Sequence, residues 1–187
     1  AGFAGIMLED QVSPKRCGHT GVKEVVDRDV AIERISAAVE ARRQGADLVI
    51  VARTDARSAF AERYGEDRAL DEALWRLKAF ADLGADVLFL EAPRSEKEML
   101  RFCTEVPGKR MANMLEGGVT PLLRPEQLSA MGFHLVAYPL TLLASAAFAM
   151  RQAVSDLQNG KTPETMLSFS ELKALVNFET YDDSLIK

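Results

Sequence analysis

The chain has 187 residues, 48% hydrophobic and 27% charged, with a net charge of −5. That is enough apolar material for one domain with its own core, and it excludes a disordered tail, a collagen-like repeat and a Pro-rich low-complexity segment. No basic run stands out, so neither nucleic acid nor an anionic membrane surface is an expected partner. The chain starts at Ala1 rather than Met and runs straight into a strand-like segment, a start that reads as a cut. In chain order, short apolar runs alternate with amphipathic stretches. Strands are expected at Gly5–Leu8, Asp47–Ala52, Asp86–Leu90, Arg110–Leu115 and His134–Tyr138. Leu48-Val49-Ile50-Val51 and Val87-Leu88-Phe89-Leu90 are continuous apolar runs, as in strands covered on both faces.

Between them, apolar residues at helical spacing predict helices over Val30–Gln44 and Glu66–Leu83. Each ends in Gly, at Gly45 and Gly84, and continues as Gly-Ala-Asp into a strand. Ser95–Cys103 and Arg124–Met131 read as shorter helices, Pro139–Asn159 as a long apolar one, and Ser170–Val176 as a last short one. No linker interrupts the pattern, so residues 1–187 are read as a single domain. Alternating β and α predict an α/β fold with a parallel sheet. An open doubly wound sheet and a (β/α)8 barrel both fit. No Gly-rich dinucleotide fingerprint follows any strand, which weakens the first. Five strands are too few to close a barrel, so an upstream portion is expected to supply the rest.

Cys17 and Cys103 are the only cysteines, which makes neither a disulfide framework nor a zinc cluster. A reducing, cytoplasmic location is the expectation. The longest apolar run, Tyr138 to Met150, falls short of the about 20 residues that a membrane span needs.

Polar groups recur after each strand. Glu9-Asp10-Gln11 follow the first and Arg53-Thr54-Asp55 the second. Glu91 ends the third, Asn113 and Glu116-Gly117-Gly118 follow in the fourth, and Tyr138-Pro139 end the fifth. In parallel α/β barrels this is the end that carries active sites. Glu9-Asp10 reads as a metal site or a general acid/base pair. Arg53 suits bidentate recognition of a carboxylate or phosphate, or an ion pair with Asp55, Glu91 or Glu9. Lys15-Arg16-Cys17-Gly18-His19-Thr20 sets a thiol beside two cations, a setting that lowers a cysteine pKa. Cys103 reads as a small buried hydrophobe, His134 as structural, and Trp75 as a core or interface residue.

Several of these segments together resemble the isocitrate lyase / phosphoenolpyruvate mutase superfamily. They are Leu8-Glu9-Asp10-Gln11, Pro14-Lys15-Arg16-Cys17-Gly18-His19, Val51-Ala52-Arg53-Thr54-Asp55-Ala56, Leu90-Glu91-Ala92-Pro93, Ala112-Asn113-Met114-Leu115-Glu116-Gly117-Gly118 and Tyr138-Pro139-Leu140. The pattern is most like its petal death protein, 2-methylisocitrate lyase and oxaloacetate acetylhydrolase branches. The resemblance implies a (β/α)8 barrel, of which this chain supplies about the last five βα units plus C-terminal helices. It implies Mg²⁺, with Mn²⁺ as a substitute, and cleavage of the carbon–carbon bond of a 2-hydroxy or 2-oxo dicarboxylate. Cys17 matches the proton donor or acceptor, and His19 and Glu91 match groups near the reacting centre. Arg53, Gly18, Asn113 and Glu116 match substrate-binding positions, and Glu9 an outer-shell carboxylate of the metal. The aspartates that bind the metal directly belong, in the family, to strands upstream of Gly5. A homotetramer or homodimer with a swapped C-terminal helix is also implied. The alternatives are a carboxyphosphonoenolpyruvate phosphonomutase or an inactive oligomer-forming fragment.

Overall fold

The Gly-Ala-Asp joins show how this sequence builds its repeating unit. Gly84 takes a left-handed conformation (φ 101°) that closes the preceding helix. The next residues enter the sheet, where Asp86 Oδ2 accepts a hydrogen bond from the Ile50 amide at 2.8 Å and pairs with Arg42. One short segment thus ends a helix, starts a strand and ties it to its neighbours.

The structure, a computed structural model, describes residues 2–15 and 23–185. In chain order it contains β1 (Gly5–Glu9), α1 (Arg28–Arg43), β2 (Val49–Thr54), α2 (Ala56–Ala59), α3 (Ala61–Tyr64), α4 (Glu66–Leu83) and β3 (Val87–Leu90). There follow α5 (Glu96–Glu105), β4 (Lys109–Asn113), α6 (Pro125–Met131), β5 (Leu135–Ala137), α7 (Thr141–Gln158), α8 (Phe169–Leu175) and α9 (Phe178–Leu185). Residues 1–140 and 141–187 form two compact units.

In the first unit the strands lie in the order β1-β2-β3-β4-β5, all parallel. A doubly wound sheet reverses its strand order at a switch point, whereas barrel strands follow one another round. The unbroken order therefore selects the barrel arrangement of the two architectures that the sequence allows. Leu8, Ile50, Ala52, Leu88, Leu90, Ala112 and Val136 point to one face. They pack against Ile35 and Val39 of α1, Leu74, Leu77 and Phe80 of α4, Met99 and Phe102 of α5, and Leu128 of α6. The opposite face, which lines the inside of a barrel, carries Met7, Val49 and Leu135, at 44%, 46% and 46% exposure.

The expected elements are present, with β1 and β2 extending slightly further toward their polar ends. β3 is buried along its whole length, as its apolar run predicts. β2 alternates between covered and accessible positions among the described residues, its accessible positions lying on the face that lines the inside of a barrel. Trp75 is not a core residue: it is partly exposed, with the Arg28 guanidinium 3.8 Å above its ring. Cys103 is buried, and burial pushes its thiol up to about 11, the behaviour of a small hydrophobe. His134 accepts from the Arg110 amide through Nδ1 at 3.4 Å, a structural contact.

In the second unit no residue of α7 is buried. A capping box at Ser168 and Glu171 starts α8. Among the described residues no helix is long and apolar enough to cross a membrane.

Candidate active site

Alternation along β2 sends Ala52 and Thr54 into the helical core and Arg53 to the other face. Register places Arg53 beside Glu9 of β1 and Phe89 of β3. Its guanidinium donates from Nε to Asp55 Oδ2 and from Nη2 to Asp55 Oδ1, both at 2.9 Å. Glu9 lies 3.4 Å from Nε and Glu91 3.5 Å from Nη1. The side chain remains 17% exposed, so ion pairing does not close it off.

Two lysines complete the cluster. Lys15 pairs with Glu9 at 3.0 Å, and Lys23, buried, donates to Asp55 Oδ1 at 2.5 Å. Three carboxylates thus meet three cations. Burial works against the charge on Arg53, but Asp55, Glu91 and Glu9 outweigh it and raise its pKa further above the ordinary range. Burial likewise raises Asp55, but Arg53 and Lys23 prevail and hold it below the usual carboxylate range.

Glu91 directly follows β3, and Asn113 ends β4 on this face. Their atoms Glu91 Oε2 and Asn113 Oδ1 are buried and make no hydrogen bond among the described residues. Both residues line a small cavity with Ala92, Leu115, Gly118, Val119 and Thr120. Ala92 itself has φ 56°, a left-handed conformation that turns the chain away just after Glu91. A pair of buried acceptors beside an accessible guanidinium suits a ligand with an acidic group and a donor. Glu116 is exposed in the turn beyond the cavity-lining Leu115.

The Glu9-Asp10 pair is a correction. The two carboxylates do not act together, because successive strand residues point to opposite faces. Glu9 joins Arg53, whereas buried Asp10 accepts from Thr54 Oγ1 at 2.6 Å, the Asp55 amide at 2.9 Å and Arg76 at 3.2 Å. Burial outweighs these bonds and raises the Asp10 pKa. Asp10 is a bracket that fixes the Thr54–Asp55 turn. Cys17, Gly18 and His19 lie outside the described residues.

Lys23 and the Asp10–Arg76 bracket are absent from the expected site. Lys23 sits in a polar segment without periodicity, and nothing local marks it as buried. Among the described residues no group of three or more His, Cys, Asp or Glu side chains could hold a metal ion. Glu9 is already shared between Lys15 and Arg53.

Consecutive parallel strands with an arginine held among carboxylates at their C-terminal ends are the polar end of a barrel sheet. Comparison with known proteins gives the family. Residues 1–158 match the phosphoenolpyruvate phosphomutase family, and the chain belongs to it. The chain is 41% identical over 183 residues to 2,3-dimethylmalate lyase of Eubacterium barkeri, covering 96% of this chain and 60% of that protein. It is 38% identical over 185 residues to the chloroplastic carboxyvinyl-carboxyphosphonate phosphorylmutase of Arabidopsis thaliana, covering 97% and 53%. Among solved structures, oxaloacetate acetylhydrolase in complex with the inhibitor 3,3-difluorooxalacetate superposes with a TM-score of 0.82 at 33% identity, covering 97% of this chain and 60% of that one. The chain therefore spans little more than half the length of these relatives.

Proposed function

We propose that the whole protein is a carbon–carbon lyase acting on a 2-hydroxy or 2-oxo dicarboxylate of the 2-methylisocitrate, 2-alkylmalate or oxaloacetate class. The observation that carries this reading is the Arg53 fork, oriented by carboxylates yet still accessible, beside the buried oxygens of Glu91 and Asn113 that make no hydrogen bond among the described residues. Arg53 binds one substrate carboxylate in bidentate fashion. Glu91 takes the proton of the substrate hydroxyl as the base, and Asn113 lines the same cavity. In a 2-hydroxy dicarboxylate, cleavage next to the resulting alkoxide releases an α-keto acid and leaves an enolate fragment, to which Cys17 delivers its thiol proton; a 2-oxo dicarboxylate first adds water at its carbonyl, and the same cleavage then releases oxalate from oxaloacetate. His19 is assigned to the catalytic groups and Gly18 to the substrate-binding ones. Glu116 contributes to the substrate end of the site.

The described cluster is formally balanced, so a dicarboxylate brings two uncompensated negative charges. A divalent cation, Mg²⁺ with Mn²⁺ as a substitute, would offset them and stabilise the enolate, with Glu9 in its outer shell. The assembly proposed is a homodimer or homotetramer that exchanges C-terminal helices, and the setting is the cytoplasm. Resemblance to the phosphorylmutase supports a second reading, phosphonomutase chemistry. The deciding assay follows keto-acid release by the whole protein with Mg²⁺ and with EDTA. Metal-dependent release of a keto acid from a 2-alkylmalate, or of oxalate from oxaloacetate, supports the lyase. Phosphonate rearrangement without keto-acid release would replace it with the second reading.

A further inference from the structure

Asp55 and Lys23 stand behind Arg53, and neither belongs to the machinery assigned above. Asp55 Oδ2 is taken wholly by Arg53 Nε, while Oδ1 is shared between Arg53 Nη2 and Lys23 Nζ. The Asp55 and Lys23 side chains are 0% and 1% exposed, so no solvent competes for these bonds. Asp55 is itself fixed, because its amide donates to Asp10, which Thr54 and Arg76 hold. We infer that Asp55 and Lys23 are positioning residues that aim the Arg53 guanidinium and keep part of its charge available to a substrate carboxylate. The inference rests on the proposed reading of Arg53 as the carboxylate-binding group.

The physical division of labour is as follows. The two parallel hydrogen bonds from Arg53 to Asp55 fix the plane of the guanidinium and leave its Nη1 side toward Glu91. Alone, Asp55 would also cancel the arginine's charge. Lys23, sharing the same carboxylate, offsets Asp55 from behind as Lys15 offsets Glu9, so that among these carboxylates only Glu91 draws on the arginine without a lysine of its own. Lys23 is delivered to this place by a short antiparallel pairing of residues 10–12 with residues 24–26. Its bonds run from the Val12 amide to Glu24 O at 3.0 Å and from the Val26 amide to Asp10 O at 2.8 Å.

The test uses the whole enzyme, with oxaloacetate for kinetics and oxalate as a non-reacting dicarboxylate probe in calorimetry. Asp55→Asn and Lys23→Met are each expected to raise KM and the oxalate Kd about tenfold or more while kcat stays within about twofold, the mark of a misaimed binding group. Lys23→Arg is expected to restore most of the affinity. Arg53→Lys serves as the control. If that control weakens oxalate binding but Asp55→Asn and Lys23→Met do not, the positioning role is overturned while the reading of Arg53 stands. If the control leaves binding unchanged, the reading of Arg53 falls and the positioning role with it. Should Asp55→Asn fail to fold, Lys23→Met alone decides, since it leaves the Arg53–Asp55 fork in place.

Discussion

At the scale of single residues, this site is built on the difference between a planar fork and a point charge. Arg53→Lys keeps the charge but cannot reach Asp55 through two parallel bonds and a substrate at once. KM for the dicarboxylate is expected to rise about tenfold or more, and steady-state kinetics check it; an unchanged KM removes Arg53 from the substrate's surroundings. Cys17→Ser is expected to abolish keto-acid release while leaving the circular dichroism spectrum and thermal midpoint unchanged. A loss of only a fewfold in kcat would make Cys17 a bystander. Residue chemistry was the most legible part of the site. Glu9, Arg53, Glu91 and Asn113 each follow an apolar run, and the structure brings them to one face. Asp10 was misassigned for the opposite reason: adjacency in sequence is separation across a pleat.

At the scale of elements, the joins carry information that the helices do not. The Ser95 hydroxyl accepts from the Glu98 amide at 3.2 Å and caps α5, so Ser95→Ala should lower stability by about 1 kcal/mol, read from urea unfolding. Gly84→Ala meets no close obstacle at its Cβ, the nearest atom being 3.6 Å away. Its φ of 101° nevertheless makes the substitution strained, with an expected cost of about 1 kcal/mol or more. A neutral result at either position would show that the join is held by its neighbours instead. The helices α2, α3 and α9 were not expected from the sequence. Two of them have four residues and one has eight, too few turns for an apolar stripe to declare itself.

At the scale of the whole molecule, charge and exposed apolar surface set the expected behaviour. Burial raises Asp55, Glu72 and Glu98, but their arginine partners prevail and all three end below the usual range, while burial prevails at Asp10 and raises it. A lowered carboxyl contributes stability above its unfolded pKa of about 4 and loses it as pH falls through the folded value. The raised Asp10 acts with the opposite sign, costing stability at neutral pH and relieving it on protonation. Glu105 and Glu171 at the surface are lowered too, by Arg101 and by Ser168, so with five carboxyls lowered against one raised the urea midpoint should hold steady from pH 8 to pH 6 and fall steeply below about pH 4. A midpoint that stays level to pH 3 would contradict the pairing described. Leu142 and Phe148 of α7 are 83% and 73% exposed, and Leu175 of α8 is 71% exposed. Such surface fits an interface between copies. The whole protein is expected to scatter light as a dimer or tetramer, and truncation after Asn159 to weaken that assembly. A monomer at micromolar concentration would defeat the proposal.

What the sequence determined by itself was the alternation of strand and helix, the helix-closing glycines and the identity of the polar residues at strand ends. These are local matters, fixed by side-chain periodicity and backbone preference within a few residues. Only the tertiary structure decided that the strands follow one another in unbroken order, since strand order depends on pairing between residues 22 to 44 positions apart. It alone split Glu9 from Asp10 and brought Lys23 behind Asp55, 32 residues away in sequence. A buried lysine is stable only where a carboxylate meets it, and that meeting is a property of the packed sheet rather than of any stretch of chain.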